Sequence, residues 1–221
     1  MSSSNASASS PPRGPKSPGR ELRTQAFVSL DGVMQAPGGP DEDRDSAFPH
    51  GGWGMTHWDE VMGQAMAEEL AIPREVVLGR KTYEIFAGYW PKHREDPGGK
   101  ELNGARKYVA SRTLRALAWE NSHLLEGEAT TALQELKSHS GPDLHVIGSS
   151  DLLQSLFKAD LVDEVELWMF PVVLGTGKRL FGEGVASGAW RLTHRQSSTT
   201  GVEILRYHRA GPVLYGRPPG A

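Results

Sequence analysis

The chain has 221 residues, no cysteine and a formal net charge of −3. At roughly 100–200 residues per domain, that length reads as one domain with a sizeable core. The missing cysteines exclude a disulfide framework, thiolate metal sites and a thiol nucleophile. The charge gives no global positive field for nucleic acid. The N-terminus lacks the apolar stretch of a secretory signal, and no apolar run approaches the ~18 residues of a membrane span. A cytoplasmic protein without membrane or nucleic-acid partners is the expectation.

Residues 1–20 are dominated by Ser, Pro, Gly and Ala, with Arg13, Lys16 and Arg20. They lack the apolar groups that would offset ordering entropy and read as a disordered tail. Leu22–Ser29 reads as a strand closed by the turn pair Asp31-Gly32. Residues 36–54, rich in Gly, Pro and Asp, form the longest irregular internal stretch, the kind that is usually functional or disordered. Trp58, Val61, Met62, Ala65, Met66 and Leu70 recur at helical spacing and predict a helix over 58–70. Glu75–Leu78 predicts a short buried strand and Thr82–Gly88 a short helix. Lys107–Ala110 and His123–Leu125 predict two more strands, and Thr130–His139 a helix. Leu144–Ile147 predicts a strand, Asp151–Lys158 a helix and Val165–Phe170 a strand. Residues 190–196 and 202–208 alternate as a closing antiparallel pair, and 211–221, with three prolines, read as a flexible end. Strands alternating with helices imply βαβ units, so the fold class is α/β, a mixed and mostly parallel sheet with antiparallel C-terminal strands. The domain is expected over 21–210.

Ligands in open α/β sheets bind beyond the carboxyl ends of the strands. Three strand ends here carry groups suited to phosphate. Gly79-Arg80-Lys81-Thr82 follows the second strand: a close turn, two cations and a helix start whose N–H groups favour an anion. Ser111-Arg112-Thr113 follows the third, with a guanidinium able to fork onto two oxygens between two hydroxyls. Gly148-Ser149-Ser150-Asp151-Leu152 follows the fifth, a Gly-led turn opening a helix. Capped helices with solvated cations are the plainer alternative for each. Their recurrence in one small domain suggests a dinucleotide, although neither GxGxxG nor a Walker A loop occurs. Eight scattered histidines without paired-ligand spacing argue against a metal site. Asp31 and Asp59, near the long loop, are the candidate proton donors or relays, against the plainer readings of a turn Asp and an exposed helix Asp. Trp53 and Trp58 flank the same region and are candidates to stack on a heterocyclic substrate, with packing as the alternative.

Gly79-Arg80-Lys81-Thr82-Tyr83-Glu84, Ser111-Arg112-Thr113 and Val146-Ile147-Gly148-Ser149 resemble, in that order, the motifs of dihydrofolate-reductase-like proteins. Val28-Ser29-Leu30-Asp31-Gly32 and the run from Leu161 to Phe181 are similar to the reductase domain of riboflavin-biosynthesis enzymes, the RibD C-terminal family, in a stand-alone form. The resemblance covers residues 22–209. It implies a three-layer α/β/α fold with NADPH lying across the strand ends. Arg80 and the Ser111–Thr113 turn would hold the adenosine 2′-phosphate, and Lys81, Thr82 and the Gly148–Leu152 helix start the pyrophosphate. It implies hydride transfer to a small heterocyclic substrate and a homodimer. The best-known candidate substrate is 5-amino-6-(5-phosphoribosylamino)uracil. Dihydrofolate reduction and a non-catalytic nucleotide- or drug-binding role are the alternatives. Where dihydrofolate reductases carry two glycines, this chain has Gly148-Ser149.

Overall fold

A computed structural model describes residues 19–216. The tail expected over 1–20 lies outside the described residues except for Gly19 and Arg20, and the end expected over 211–221 lies outside them beyond 216. Arg20 is not part of a tail. It is 5% exposed, pairs with Glu75, and donates from its Nε to the Pro142 carbonyl at 2.5 Å.

Eight strands form one sheet: β1 (Leu22–Ser29), β2 (Arg74–Gly79), β3 (Lys107–Ala110), β4 (Ser122–Leu124), β5 (Asp143–Ile147), β6 (Glu164–Phe170), β7 (Ala189–Ser197) and β8 (Glu203–Gly211). Their order is β4-β3-β2-β5-β1-β6-β8-β7. The first six in that order run parallel, and β8 and β7 complete the edge antiparallel. β1 is central, with Leu22 opposite Leu144 on one side and Arg23 opposite Glu164 on the other.

The helices are α1 (Glu60–Leu70), α2 (Arg80–Tyr89), α3 (Gly99–Gly104), α4 (Ala129–Ser138) and α5 (Ser150–Lys158). Their apolar stripes define the layers. Leu133 of α4 and Leu153 and Leu156 of α5 pack with Ala26, Val28, Val77, Val146 and Val165 on one face of the sheet. On the other face Met62 of α1 packs with Trp168 and Phe170, while Tyr83 of α2 and Leu102 of α3 pack with Val76, Leu78 and Val109. Alternate residues of each strand therefore feed opposite cores, as the two-residue strand period requires. The result is the three-layer α/β/α arrangement expected.

Part of the α1 face is ionic rather than apolar. Arg206 Nη2 lies 2.5 Å from Glu166 and 3.0 Å from Glu69, and Gln25 Nε2 donates to Glu166 at 3.1 Å. Buried charges need such partners, because an isolated one would be strongly unfavourable. Among the described residues no helix is long and apolar enough to cross a membrane.

Two differences from the expected elements bear on the site. The helix expected at Thr82–Gly88 begins at Arg80, so Arg80 and Lys81 stand in its first turn rather than in a loop. The helix expected from 58 begins at Glu60, because the Asp59 carboxylate caps it by accepting from Met62 N–H at 2.9 Å. α3 is an element the apolar periodicity does not reveal.

Candidate functional site

A cavity of about 520 Å³ lies at the carboxyl ends of β3, β2, β5 and β1. All of Gly79, Arg80, Lys81, Thr82, Ser111, Arg112, Thr113, Gly148, Ser149, Ser150 and Leu152 line it. Three motifs up to 73 residues apart in sequence thus meet around one space, because parallel strands put their carboxyl ends on one edge.

Three helices begin at this cavity. The first turns of α2 and α5 line it, and so do Glu128, Ala129 and Thr130 at the start of α4. No side chain caps any of the three N-termini. First-turn N–H groups lack intrahelical acceptors and carry the positive end of the helix dipole. Three such ends around one space, with Arg80, Lys81 and Arg112, form a donor set for a molecule with several phosphates. The α4 contribution escapes the sequence reading. Its signal was present: Leu124, Gly127 and Thr130 repeat the strand, glycine, helix pattern of the β2 and β5 ends.

Ser149 ties two strand ends together. Its Oγ accepts from Gly79 N–H at 2.8 Å and donates to the Ile147 carbonyl at 2.8 Å. Its own N–H donates to Thr82 Oγ1 at 3.0 Å. Both Gly148 (φ 54°) and Ser149 (φ 58°) are left-handed. A Cβ on Gly148 would lie 3.1 Å from Thr82 Oγ1, so glycine is needed for this close approach as well as for its φ. Ser111 closes its own turn, accepting from the N–H groups of Thr113 (3.2 Å) and Leu114 (3.0 Å). Arg80 pairs with Glu84 one turn along α2, at 2.9 Å on the exposed side.

The remaining wall comes from Met34, Gln35, Ala36, Glu42 and Asp43, in the loop after β1 that the family resemblance implies would cover the nicotinamide and shape the substrate pocket, and from Lys178 after β6; none of these residues is singled out from the sequence. Gln35 is 4% exposed and organises them. Its side-chain amide donates to the Asp43 and Asp45 carbonyls at 3.2 and 3.1 Å, and its Oε1 accepts from Lys178 N–H at 3.0 Å. No local pattern announces such a contact between positions 143 residues apart. Burial is the main influence raising the Glu42 carboxyl pKa, against the N–H groups of Gly38 and Gly39 that it accepts from.

Four candidates lie elsewhere. Asp31 accepts from Ser29 Oγ at 2.6 Å, Leu174 N–H at 3.1 Å and Gly175 N–H at 2.9 Å. The Ser29 bond leads in lowering its pKa to about 2. A group so ionised joins the end of β1 to the loop after β6 and has no proton to give near neutral pH. Asp59 caps α1 and accepts from both Thr199 N–H and Thr199 Oγ1 at 2.7 Å. Burial pushes its carboxyl up, but the bonds from Met62 and Thr199 outweigh that and the net shift is downward. Trp53 is a core residue, set edge-on to Phe170, with its indole N–H on the Gln35 carbonyl at 2.7 Å. Trp58 stacks on Trp168 with ring centres 6.0 Å apart. None of these four lines the cavity.

A mixed eight-stranded sheet with this order and a phosphate-suited cavity at its parallel strand ends defines a dihydrofolate-reductase-like α/β protein. Residues 20–205 match the profile of the RibD C-terminal domain, and the chain belongs to that family. It is 30% identical over 144 residues to the uncharacterized protein YyaP of Bacillus subtilis (strain 168), covering 62% of this chain and 74% of that one. Among solved structures, a Shewanella sp. PV-4 protein named for riboflavin biosynthesis superposes with a TM-score of 0.59 at 21% identity, over 86% of this chain and 99% of that one. The dihydrofolate reductase of Enterococcus faecalis, complexed with NADP(H) and RAB-propyl, superposes with a TM-score of 0.52 at 17% identity, over 86% and 96%. At those identities the likeness is one of fold.

Proposed function

We propose that this protein is an NADPH-dependent reductase acting on a small heterocycle of the pyrimidine or pteridine kind. The observation that carries the reading is the convergence of three uncapped helix N-termini with Arg80, Lys81 and Arg112 on one cavity. The family membership and the NADP(H) in the reductase of like fold support it. When bound, the cofactor supplies the hydride, and the chain's task is placement and electrostatics. Arg80 and the Ser111–Thr113 turn hold the 2′-phosphate. Lys81, Thr82 and the first turn of α5 hold the pyrophosphate. Met34–Ala36 then face the nicotinamide end, beside the space left for substrate. Glu42, which lines that end, takes the place of Asp31 as the source of the proton, since a carboxyl raised by burial keeps its proton closer to neutral pH. The homodimer implied by the family resemblance is part of the same proposal, and sedimentation at twice the 24.1 kDa chain mass is its readout.

A second reading, a nucleotide-binding protein without turnover, is favoured by one observation: both aspartates first considered as proton donors lie outside the cavity. NADPH titration followed by tryptophan fluorescence and thermal shift tests the binding that both readings require. No response at saturating NADPH refutes both. Binding together with NADPH oxidation that is lost in Glu42→Gln supports the reductase, and binding with no turnover of any pteridine or pyrimidine supports the second reading.

A further inference from the structure

The charge along the cavity changes sign from one end to the other. Toward β3, β2 and β5 the lining carries Arg80, Lys81 and Arg112 against Glu128 and Asp151. Toward β1 it carries Glu42 and Asp43 with Lys178, and Asp45 just behind lies between Lys178 and Lys81. Lys178 is already committed: its Nζ lies 2.6 Å from Asp43 and 2.8 Å from Asp45. Lys81, the other lysine reaching this end, also rests on Asp45. The acidic segment is not a loose surface strand. The buried Gln35 side chain holds its backbone at two carbonyls and holds the Lys178 backbone at the same time.

Resting on the reductase reading, we infer that the substrate taken beside the nicotinamide is an unphosphorylated heterocycle, neutral or cationic, and that a phosphate-bearing one is rejected. A phosphate dianion entering this end would have to draw Lys178 away from two carboxylates, leaving them opposed to the dianion and to each other. Like charges brought together in a half-enclosed space are strongly disfavoured and serve to exclude wrong ligands. Ring N–H and amino groups, by contrast, are donors and match the Asp43 carboxylate and the carbonyl oxygen of the Glu42 carboxyl, which accepts even while that group keeps its proton. The cations that suit phosphate stand at the far end, where the cofactor's own phosphates would occupy them. This narrows the substrate from the phosphoribosylated pyrimidine that the family resemblance suggests to a compound of the same ring type without the phosphate.

The experiment compares matched pairs on the protein saturated with NADP⁺: a ribosylaminopyrimidine with and without its 5-phosphate, and a hydroxymethyl dihydropterin with and without phosphate on the hydroxymethyl group. Calorimetry measures each dissociation constant. The expected result is that the unphosphorylated member of at least one pair binds about tenfold tighter or more. Raising salt from about 0.05 M to about 0.5 M narrows the ratio in the unmodified protein, as screening requires. Asp43→Asn combined with Asp45→Asn brings it toward one. Equal or tighter binding of the phosphorylated members overturns the inference, and so does failure of all four compounds to bind. Failure of NADP⁺ itself to bind is a separate outcome and refutes the reductase reading beneath it.

Discussion

Replacing Ser149 by alanine removes two hydrogen bonds while keeping the strained backbone. The Gly79 N–H loses its acceptor at 2.8 Å, and the Ile147 carbonyl loses a donor at 2.8 Å. A partly buried donor left without a partner costs about 1–3 kcal/mol, so a loss of about 1.5 kcal/mol is expected. For a chain of this size that lowers the melting temperature by about 3–6 °C. Glycine at the same position loses the same bonds but relieves the left-handed φ of 58°, which costs a non-glycine residue about 1 kcal/mol. Ser149→Gly is therefore expected to melt at or slightly above Ser149→Ala, about 1–1.5 kcal/mol below the parent once the extra chain entropy of glycine, about 0.5–1 kcal/mol, is counted. Urea denaturation with matched slopes, alongside thermal melts, reads both differences. NADPH titration should show weaker binding in the alanine variant, because Gly79 sets the start of α2 and with it Arg80 and Lys81. If Ser149→Ala is as stable as the parent, or Ser149→Gly is the less stable of the two, the account of this turn is refuted.

The other predictions concern charge. Arg80→Ala and Arg112→Ala should each weaken NADPH more than NADH, by up to about 1.5–3 kcal/mol for a charge-assisted contact, or roughly 10- to 150-fold; equal losses for both cofactors remove that residue from the 2′-phosphate site. In Asp31 the folded pKa of about 2 lies below the ordinary carboxyl value of 3.8. Between those values the unfolded chain binds a proton that the folded chain does not, so stability falls as pH drops through that window. Asp31→Asn should flatten the dependence over the same range, and an unchanged acid limb in urea melts would contradict the assigned bonds. Lys107 is fully buried, and its Nζ donates to the carbonyls of Asn103 (3.1 Å), Ala105 (2.7 Å) and Glu120 (3.1 Å) while lying 4.3 Å from the centre of the Trp119 ring. Lys107→Met should cost about 2–3 kcal/mol by stranding those carbonyls; a loss below about 0.5 kcal/mol in denaturant melts counts against this role.

Strand β1 was legible to the residue because Leu22, Ala26 and Val28 alternate with residues of the other face and a turn pair follows. The cofactor half of the cavity was legible because each wall is a local pattern: a strand, a glycine and a helix after β2 and β5, and a strand followed by Ser111-Arg112-Thr113 after β3. α3 was not, since the segment from Gly99 to Gly104 has a single large apolar residue. It is held instead by polar bonds, with Asn103 accepting from the Trp119 indole at 2.7 Å and donating to the Trp90 carbonyl at 2.9 Å. Of the substrate half, the loop after β1 was legible as a segment through the family resemblance, but its residues were not. Gln35 meets Lys178 only through the tertiary fold, and a carboxylate that caps a helix or pins a loop, as Asp59 and Asp31 do, looks in sequence like one that could move protons.

The position of β1 also shapes how the molecule is made. It precedes every other strand of the sheet, yet its two neighbours are β5 and β6, more than 110 residues downstream. Until residue 147 has emerged, the strand that will stand at the middle of the sheet has no native partner on either side. Closing such long loops is slow, and an apolar strand left waiting is open to wrong pairings. The folding rate of this protein should therefore be governed by the docking of its earliest strand among its later ones.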